Sequence, residues 1–197
     1  MRRVAYYNAA ESMKSKQQQD PYLQASFSFT DKLRRQLWSF FWILCFRPSP
    51  RIFWAWRNFL LRCFGAHLGS NCHFAPDVRI WAPWQLSCAD AVRIGDGVEL
   101  YNPAPLSLGS HAIVSQGAYL CGASHDYNSA RFTYLAYPTE IGAYAWVCAH
   151  AIVAPGVNLG EGAVLGLGAV ATRDLEPWTV YAGVPAVQVK ERTRFLE

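Results

Sequence analysis

Several features that define other classes of protein are absent from this sequence of 197 residues. The most apolar stretch, Leu37 to Phe46, has ten residues, whereas a helix needs about 20 to span a bilayer. The six cysteines form no CxxC pair and no secretory signal precedes them. We therefore expect free, buried thiols in a reducing compartment, and a cytoplasmic protein without disulfides or a metal site.

Charged residues are few, 16% of the chain, and their signs are unevenly distributed. Residues 1–64 contain eleven Lys and Arg against three acids, a net +8, whereas residues 65–197 have a net −4. We expect residues 1–29 to lack stable structure because Met1 to Asp20 is polar, with the run KSKQQQ at its core. Residues 30–65 form an aromatic, basic segment with two predicted helices, separated by Pro48-Ser49-Pro50. Thr30 or Asp31 is the expected cap of the first helix, and Gly65 the end of the second.

Two interpretations of residues 30–64 remain open. Their tryptophans and phenylalanines alternate with arginines, which suits helices lying in a membrane interface and predicts peripheral contact with the inner face of the cytoplasmic membrane. The same helices would also cover the open end of a stack of strands. Nucleic acid is not an expected partner, because the basic segment carries no recognised binding motif.

A six-residue period dominates the rest of the chain. From Ile141 to Glu176 the sequence divides into IGAYAW, VCAHAI, VAPGVN, LGEGAV, LGLGAV and ATRDLE, with an aliphatic residue or alanine in first place. Neither a helix nor a simple strand repeats at six, but a solenoid of one short strand and one corner per hexad does. Three hexads close one triangular coil. Earlier hexads bring the total to fifteen, which predicts an all-β solenoid of about five coils.

The predicted solenoid occupies residues 66–186, followed by a C-terminal tail at 187–197. Its register is interrupted at about 122–140, where we expect the chain to leave the coil as a loop. His125 lies where this excursion begins, in the run CGASHDYN. A histidine held there by the last regular coil is a candidate general base, since imidazole accepts a proton near neutral pH. The neighbouring Asp126 is expected to orient the ring or to contact the substrate.

Three runs of the sequence resemble one family. RIWAPWQL (Arg79 to Leu86), the run through LYNPAP and SHDYN, and the hexads from Ile141 to VYAGVPA are similar to the hexapeptide-repeat acetyltransferases. The greatest similarity is to the colanic-acid-type exopolysaccharide acetyltransferases, over roughly Arg34 to Arg192. The resemblance implies a left-handed parallel β-helix, a homotrimer, acetyl-CoA as the acetyl donor and a carbohydrate acceptor. Metal is not implied, and no two histidines have the five-residue spacing of the ligand pair in zinc-binding gamma-type carbonic anhydrases.

The resemblance also assigns roles to residues. It places the catalytic base at His125 and an acceptor contact at Asn102. It places the backbone N–H near the thioester at Ala149, where some relatives have serine. The remaining positions implied to bind the CoA part of the donor are Trp146, Leu167, Gly168, Thr172, Arg173 and Lys190, with Arg192 as a further candidate for its phosphates.

These assignments predict direct acetyl transfer to a sugar hydroxyl of an exopolysaccharide or its lipid-linked precursor. Two other hypotheses remain: an enzyme of the same fold that acts on an amino sugar, serine or an antibiotic, and a non-catalytic solenoid that serves as a scaffold. The resemblance around LYNPAP and SHDYN, together with the aromatic, basic N-terminal segment, favours the first hypothesis over the second. His125 at the start of the excursion, with Thr172 and Arg173 at implied CoA positions, argues against a scaffold.

Overall fold

The chain forms a parallel β-solenoid with three faces, preceded by two helices. A computed structural model describes residues 28–194. The elements before the solenoid are α1 (Phe29–Phe41), a π-helical turn (Trp42–Phe46) and α2 (Trp54–Cys63), and a short 3-10 helix (Pro83–Gln85) interrupts the first coil. None of the described helices is long and apolar enough to cross a membrane.

Each face of the solenoid is one sheet, and its strands are numbered along the chain. Sheet A contains β1 (His67–Leu68), β4 (Leu86–Cys88), β7 (Leu106–Leu108) and β12 (Thr139–Ile141). Sheet B contains β2 (His73–Phe74), β5 (Arg93–Ile94), β8 (Ile113–Val114), β13 (Trp146–Val147), β15 (Val164–Leu165), β17 (Thr179–Ala182) and β18 (Val187–Glu191). Sheet C contains β3 (Arg79–Ile80), β6 (Glu99–Tyr101), β9 (Tyr119–Cys121), β14 (Ile152–Val153) and β16 (Val170–Ala171). Between β9 and β12, β10 (Ala123–His125) and β11 (Tyr134–Ala136) form an antiparallel hairpin.

Successive coils stack in register with parallel pairing, and their inward residues form continuous apolar columns. In sheet B, Ile94 lies over Phe74 and under Val114, and Val147 lies beside Leu165. All five side chains are 3% exposed or less. The faces complete five coils, and the bridge from Leu159 to Leu175, followed by β17, begins a sixth. The hexad period therefore gave the correct fold class, because a coil can bury its aliphatic residues only against the coils above and below it.

The N-terminal helices cover the first coils. The indole N–H of Trp38 donates to the Ile80 carbonyl (2.7 Å), and that of Trp42 donates to the Val78 carbonyl (2.8 Å). Helix α2 packs on β1 and β2. The N-cap of α1 is Ser28, whose hydroxyl accepts from the backbone N–H of Asp31, so our prediction of Thr30 or Asp31 as the cap was wrong. Residues 1–27, which include most of the segment expected to lack structure, lie outside the described residues.

The C-terminal residues cover the other end. Residues 187–191, which we expected within a tail, form β18 and pair antiparallel with β17 at the edge of sheet B. The Arg192 guanidinium donates to the carbonyls of Tyr144 (2.8 Å) and Gly162 (2.9 Å), and lies 5.7 Å from the Trp178 ring centre. Arg192 therefore fastens the end of the chain to the coils through Nη1, and its contact with CoA phosphates stays a prediction.

Candidate active site

His125 ends strand β10, on the hairpin that leaves the solenoid between sheets C and A. Its Nδ1 lies 2.9 Å from the carbonyl oxygen of Phe132. Because a carbonyl can only accept, the contact assigns the ring hydrogen to Nδ1 and leaves Nε2 as the proton acceptor. The ring stacks on Phe132, with centroids 4.4 Å apart, and meets Tyr134 edge-on at 5.4 Å. The geometry fixes both the tautomer and the orientation that a general base needs.

The turn of the hairpin holds the Phe132 carbonyl in place. The backbone N–H of Asp126 donates to the Thr133 carbonyl (2.9 Å), and the Phe132 N–H donates to the Ser129 carbonyl (2.9 Å). Phe132 has a positive φ of 44°, which is costly for a bulky side chain and persists only where the surroundings impose it. The local strain turns the Phe132 carbonyl towards the imidazole.

Asp126 does not orient the His125 ring. Its carboxylate accepts from the backbone N–H of Asn128 at 3.1 Å, an interaction that stabilises the turn. The orienting group is the Phe132 carbonyl, so that part of the prediction for Asp126 was wrong. Asp126 follows the end of β10 and belongs to the turn, so its side chain serves the turn and not the ring.

Four of the residues predicted to bind the CoA part of the donor lie together, on sheet B and on the edge that joins sheets B and C. The Trp146 indole N–H donates to the Ser115 hydroxyl (2.8 Å), and its side chain is 42% exposed. Ala149 lies in the corner after β13, and Gly168 lies in the corresponding corner of the next coil. The Gly168 N–H donates to the Ala149 carbonyl (3.0 Å), so the two corners stack. Leu167 is 75% exposed. This edge has space for an extended ligand, since a side chain built at Gly168 would meet no atom within 4 Å.

Ala149 offers its backbone to a ligand. Its carbonyl is engaged by Gly168, whereas its N–H makes no hydrogen bond within residues 28–194. A corner N–H of this kind can donate to an oxygen that carries developing negative charge.

The other predicted positions lie elsewhere. Thr172 and Arg173 are exposed on the edge between sheets C and A, two coils beyond the hairpin that carries His125. Lys190 is exposed on β18, opposite Val180. Sheet C thus separates His125 from Ala149 within one chain.

Asn102 is buried away from the surface. Its side chain is 2% exposed. It donates to the Ala82 carbonyl (2.9 Å) and accepts from the Ala82 N–H (3.1 Å), so it joins two adjacent coils. The amide is engaged by the chain itself in this structure. An acceptor contact for Asn102 would require this bridge to open.

Phe132, Tyr134 and Tyr101 are site residues that sequence reasoning missed. The hydroxyls of Tyr134 and Tyr101 are 3.1 Å apart, which ties the hairpin to the outer surface of sheet C. Burial, together with this hydrogen bond, raises the pKa of Tyr134, so its phenol stays protonated at neutral pH. The only signal in the sequence was the alternation of aromatics in the run FTY, which is typical of a strand beside an apolar partner.

Comparison with known proteins gives a consistent picture. The chain is 40% identical over 160 residues to a protein of Escherichia coli (strain K12) named "Putative colanic acid biosynthesis acetyltransferase WcaF", and the match covers 81% of this chain and 88% of the relative. It is 30% identical over 125 residues to the galactoside O-acetyltransferase of the same organism, over 62% of this chain and 55% of that protein. No family model matches the sequence.

Solved structures share the fold. A hexapeptide-repeat acetyltransferase from Vibrio cholerae O1 biovar eltor, solved with acetyl coenzyme A, has a TM-score of 0.78 at 21% identity, covering 86% of this chain and 93% of that one. A maltose O-acetyltransferase from Clostridium difficile 630 has a TM-score of 0.76 at 19% identity, covering 85% and 90%. The predicted left-handed parallel β-helix is confirmed.

Proposed function

The chain belongs to the hexapeptide-repeat acetyltransferases of the colanic acid biosynthesis type, and from that premise we propose how it works and on what. It is an acetyl-CoA-dependent O-acetyltransferase. The acceptor we propose is a sugar hydroxyl of an exopolysaccharide or of its lipid-linked precursor, and the compartment is the cytoplasm. The observation that carries the mechanism is the fixed tautomer of His125, with Nε2 left to accept a proton.

The proposed chemistry is direct transfer. Nε2 of His125 removes the proton from the acceptor hydroxyl as its oxygen attacks the carbonyl carbon of the acetyl thioester, and the thiolate of CoA leaves. The backbone N–H of Ala149 donates to the carbonyl oxygen as negative charge develops on it. The Phe132 carbonyl keeps the imidazole oriented and stabilises the charged ring that forms.

Residues on the edges of the solenoid fit the CoA part of the donor. Leu167 and Gly168 leave an open, partly apolar path suited to the pantetheine arm. Arg173, Lys190 and the Thr172 hydroxyl are exposed, and the two cations can meet phosphate groups. Asp126, although committed to its turn by one oxygen, lies at the mouth of the hairpin and remains a proposed contact for the sugar.

We propose a homotrimer because two of the three faces are apolar on the outside. Outward positions of sheet A are polar, including Ser87, Ser107 and Glu140. Those of sheets B and C in the middle coils are Ile113, Trp146, Val164, Tyr119, Ile152 and Val170. Ile113 and Trp146 on sheet B stay 39 and 42% exposed and Ile152 on sheet C 37%, and apolar faces of this kind are typical of subunit interfaces.

A ring with sheet B of one subunit opposite sheet C of the next covers both apolar faces and leaves sheet A in solvent. Three subunits related by a three-fold rotation close such a ring, and each makes the same heterologous contact with its neighbour. His125, on the edge between sheets C and A, then borders a cleft whose opposite wall in the neighbour begins with Trp146 on sheet B. The separation of these residues within one chain thus supports a site shared between subunits.

We also propose peripheral membrane contact through α1 and the turn after it. Five apolar residues, three or four positions apart, form one stripe along this helical segment: Phe29, Leu33, Leu37, Phe40 and Leu44. Their side chains are 50–79% exposed, whereas Trp38 on the opposite side is buried. Lys32, Arg34 and Arg47 are exposed nearby. An apolar stripe flanked by cations suits the interface of an anionic bilayer, where a lipid-linked acceptor would be found.

The acceptor can be tested on the polysaccharide itself. We expect surface polysaccharide from cells that express the protein to carry acetyl groups that are missing when the gene is deleted, as measured by mass spectrometry of the repeat unit. Restoring the gene with His125→Ala serves as the matched control and should leave the polysaccharide unacetylated.

Mild alkali separates the alternatives, because it removes O-acetyl esters and leaves N-acetyl amides intact. Alkali-stable acetyl groups would contradict the proposed hydroxyl acceptor and favour an amino sugar. An unchanged acetyl pattern after deletion would contradict an exopolysaccharide acceptor altogether.

A further inference from the structure

Opposite charges lie at the same level on sheets B and C. Arg93 is the outward residue of β5 on sheet B, Glu99 is that of β6 on sheet C, and both side chains are exposed. Strands β5 and β6 follow one another in one coil, so the two residues differ in height by less than the spacing of about 4.8 Å between coils. Because the two faces point in different directions, a second copy of the chain beside the first would bring these charges together.

The surroundings of Arg93 suit an incoming anion. Arg93 lines a hollow of about 320 Å³ on the outer surface of sheet B, together with Arg51 and Arg57. Arg51 pairs with Asp96, and Arg57 donates to three carbonyls and one hydroxyl. Arg93 forms no ion pair or side-chain hydrogen bond within residues 28–194, so its guanidinium can bind a carboxylate.

Glu99 has no cationic partner in the described part of its own chain. Its register neighbour on sheet C is Arg79, whose guanidinium carbon lies 5.8 Å from the centre of the Trp42 ring, and no ion pair joins Arg79 to Glu99. On the other side of Glu99 lies Tyr119, and burial raises the pKa of its phenol, so that it carries no charge at neutral pH. The carboxylate of Glu99 can therefore pair with a cation of another subunit.

The other levels of the two faces fit the same alignment. In the first coil, Arg79 on sheet C would meet His73 on sheet B. Burial lowers the pKa of His73, with further contributions from the positive charges of Arg93 and Arg57, and the neutral imidazole does not repel Arg79. In the coils above, the residues that meet are apolar or aromatic: Ile113 with Tyr119, Trp146 with Ile152, and Val164 with Val170.

Pairing of like faces would have the opposite effect. Two copies of sheet B related by a two-fold axis parallel to the solenoid would place Arg93 opposite its own counterpart, and two copies of sheet C would do the same with Glu99. Like charges placed opposite each other at an interface oppose association. The charges therefore favour contact between sheet B of one copy and sheet C of the next.

We infer that Arg93 of each subunit forms an ion pair with Glu99 of the next, and that this pair fixes the height at which the subunits meet. The inference rests on the trimer and the shared site proposed above, and adds to them the contact that sets their alignment. A slip of one coil would place Arg93 opposite Arg79 or Tyr119 and lose the pair.

The alignment matters for the shared cleft. A slip of one coil would also move Trp146 by about 4.8 Å relative to the neighbour's hairpin, which carries His125. Displacements far smaller than this are costly where reacting groups must be held in place. The pair between Arg93 and Glu99 thus positions the two walls of the cleft without touching a substrate.

Charge exchange in the full-length protein tests the pair. Arg93→Glu and Glu99→Arg each place like charges at all three interfaces of the ring. We expect each to raise the protein concentration at which half of the trimer dissociates by about tenfold or more. The double variant Arg93→Glu/Glu99→Arg reverses the pair and should recover most of the loss, together with the acetyl transfer that depends on the shared site. Sedimentation over a dilution series measures dissociation, with the same urea concentration added to every variant if the unsubstituted trimer does not dissociate.

The matched control is Glu140→Arg, which makes the same change at an outward position of sheet A. It should leave the trimer unchanged, and because all three positions are exposed, every variant should keep the circular dichroism of the solenoid. Single variants that dissociate no more readily than this control would overturn the inference. A double variant as weakly associated as the single variants would also overturn it.

The inference and the proposed function fail separately. An active trimer that tolerates Arg93→Glu and Glu99→Arg would remove the pair and leave the function intact. Recovery of the trimer in the double variant, in a protein that acetylates no saccharide, would support the pair and contradict the function. A monomeric unsubstituted protein would contradict the pair and the trimer together.

Discussion

His125, the proposed general base, owes its orientation to its surroundings. The Phe132 carbonyl holds the Nδ1 hydrogen and the Phe132 ring fixes the plane of the imidazole. Both contacts come from one residue, whose backbone is held in a strained conformation by the hairpin turn. The position of Nε2 therefore depends on the folding of a loop that lies outside the regular coils.

We predict that His125→Ala lowers kcat about 10²–10⁴-fold, the usual contribution of a general base. Acetyl-CoA binding should change little, because the donor positions lie on other coils. Steady-state kinetics and calorimetry measure the two quantities. His67→Ala, at an exposed position on sheet A, is the matched control. Full turnover by His125→Ala would remove this residue from the mechanism.

Asn102 illustrates a polar residue whose present contacts are structural. We predict that Asn102→Ala lowers the free energy of unfolding by about 1–3 kcal/mol, because the buried N–H and C=O of Ala82 lose their partner. Denaturant unfolding measures the loss, and Asn128→Ala in the exposed turn should change stability far less. A fully stable variant with a raised acceptor KM would instead support direct contact with sugar.

At the scale of elements, the six-residue period was sufficient to predict the coils. The inward aliphatic residues from Ile141 onward repeat without interruption, so each strand position followed from counting. The hairpin could be predicted only as an interruption. Its internal contacts, such as that of His125 with Phe132, join residues seven apart through a turn whose conformation no local periodicity encodes.

The helices were the other part that the sequence left undetermined. Their composition suited both a cap and a membrane surface, and the structure shows that one segment has two different faces. Trp38 and Trp42 point to the coils, whereas Leu33 and Leu37 point to solvent. Because aromatic and aliphatic residues occur on both faces, hydrophobicity alone could not separate them.

Arg57 joins α2 to the first coil. It is 1% exposed and donates to the carbonyls of Phe74 (2.7 Å), Pro50 (2.8 Å) and Arg51 (2.7 Å), and to the Ser49 hydroxyl (2.9 Å). Burial lowers the pKa of its guanidinium, with a further contribution from the positive charge of Arg51. The charge is tolerated there because oxygen acceptors surround it.

We predict that Arg57→Met lowers the free energy of unfolding by about 3 kcal/mol or more, because the buried Phe74 carbonyl and three part-buried acceptors lose their donor together, at about 1–3 kcal/mol for a buried one. Hydrogen exchange should rise first in α2 and the first coil. Arg62→Met is the control: this exposed arginine donates to Leu68 and Gly69 at 3.1 Å, and its loss should cost less than about 1 kcal/mol. Equal effects of the two substitutions would contradict the anchoring role of Arg57.

At the scale of the whole molecule, the distribution of apolar residues among the three faces predicts the assembly. We expect a mass of about three times the 22.1 kDa of one chain by sedimentation or light scattering. Ile113→Glu, on sheet B, should dissociate the trimer and lower activity, because a charge would be buried in the interface. Ser107→Glu, on sheet A, should leave both unchanged. A stable, active monomer would contradict a site shared between subunits.

The apolar stripe on α1 predicts that the protein binds membranes while its fold remains intact. We expect the full-length protein to float with anionic liposomes at low salt and to be released as salt rises, because each basic residue near the surface contributes about 1 kcal/mol. Deleting residues 1–64 would also remove Trp38 and Arg57, which cover the core, so point substitutions give the sharper test. Leu33→Gln, Leu37→Gln and Phe40→Gln combined should abolish flotation and preserve acetyl transfer to a soluble acceptor.

The matched control changes apolar residues of similar exposure at the other end of the solenoid. Val187 and Val189 are 61 and 59% exposed on β18, and their replacement by glutamine should leave flotation unchanged. Loss of flotation in both variants would indicate non-specific hydrophobic adsorption. If the full-length protein stays with the soluble fraction at low salt, the proposed membrane contact is wrong and α1 only covers the first coils. Flotation that depends on the stripe would instead bring the cleft beside His125 to the surface where a lipid-linked acceptor is held.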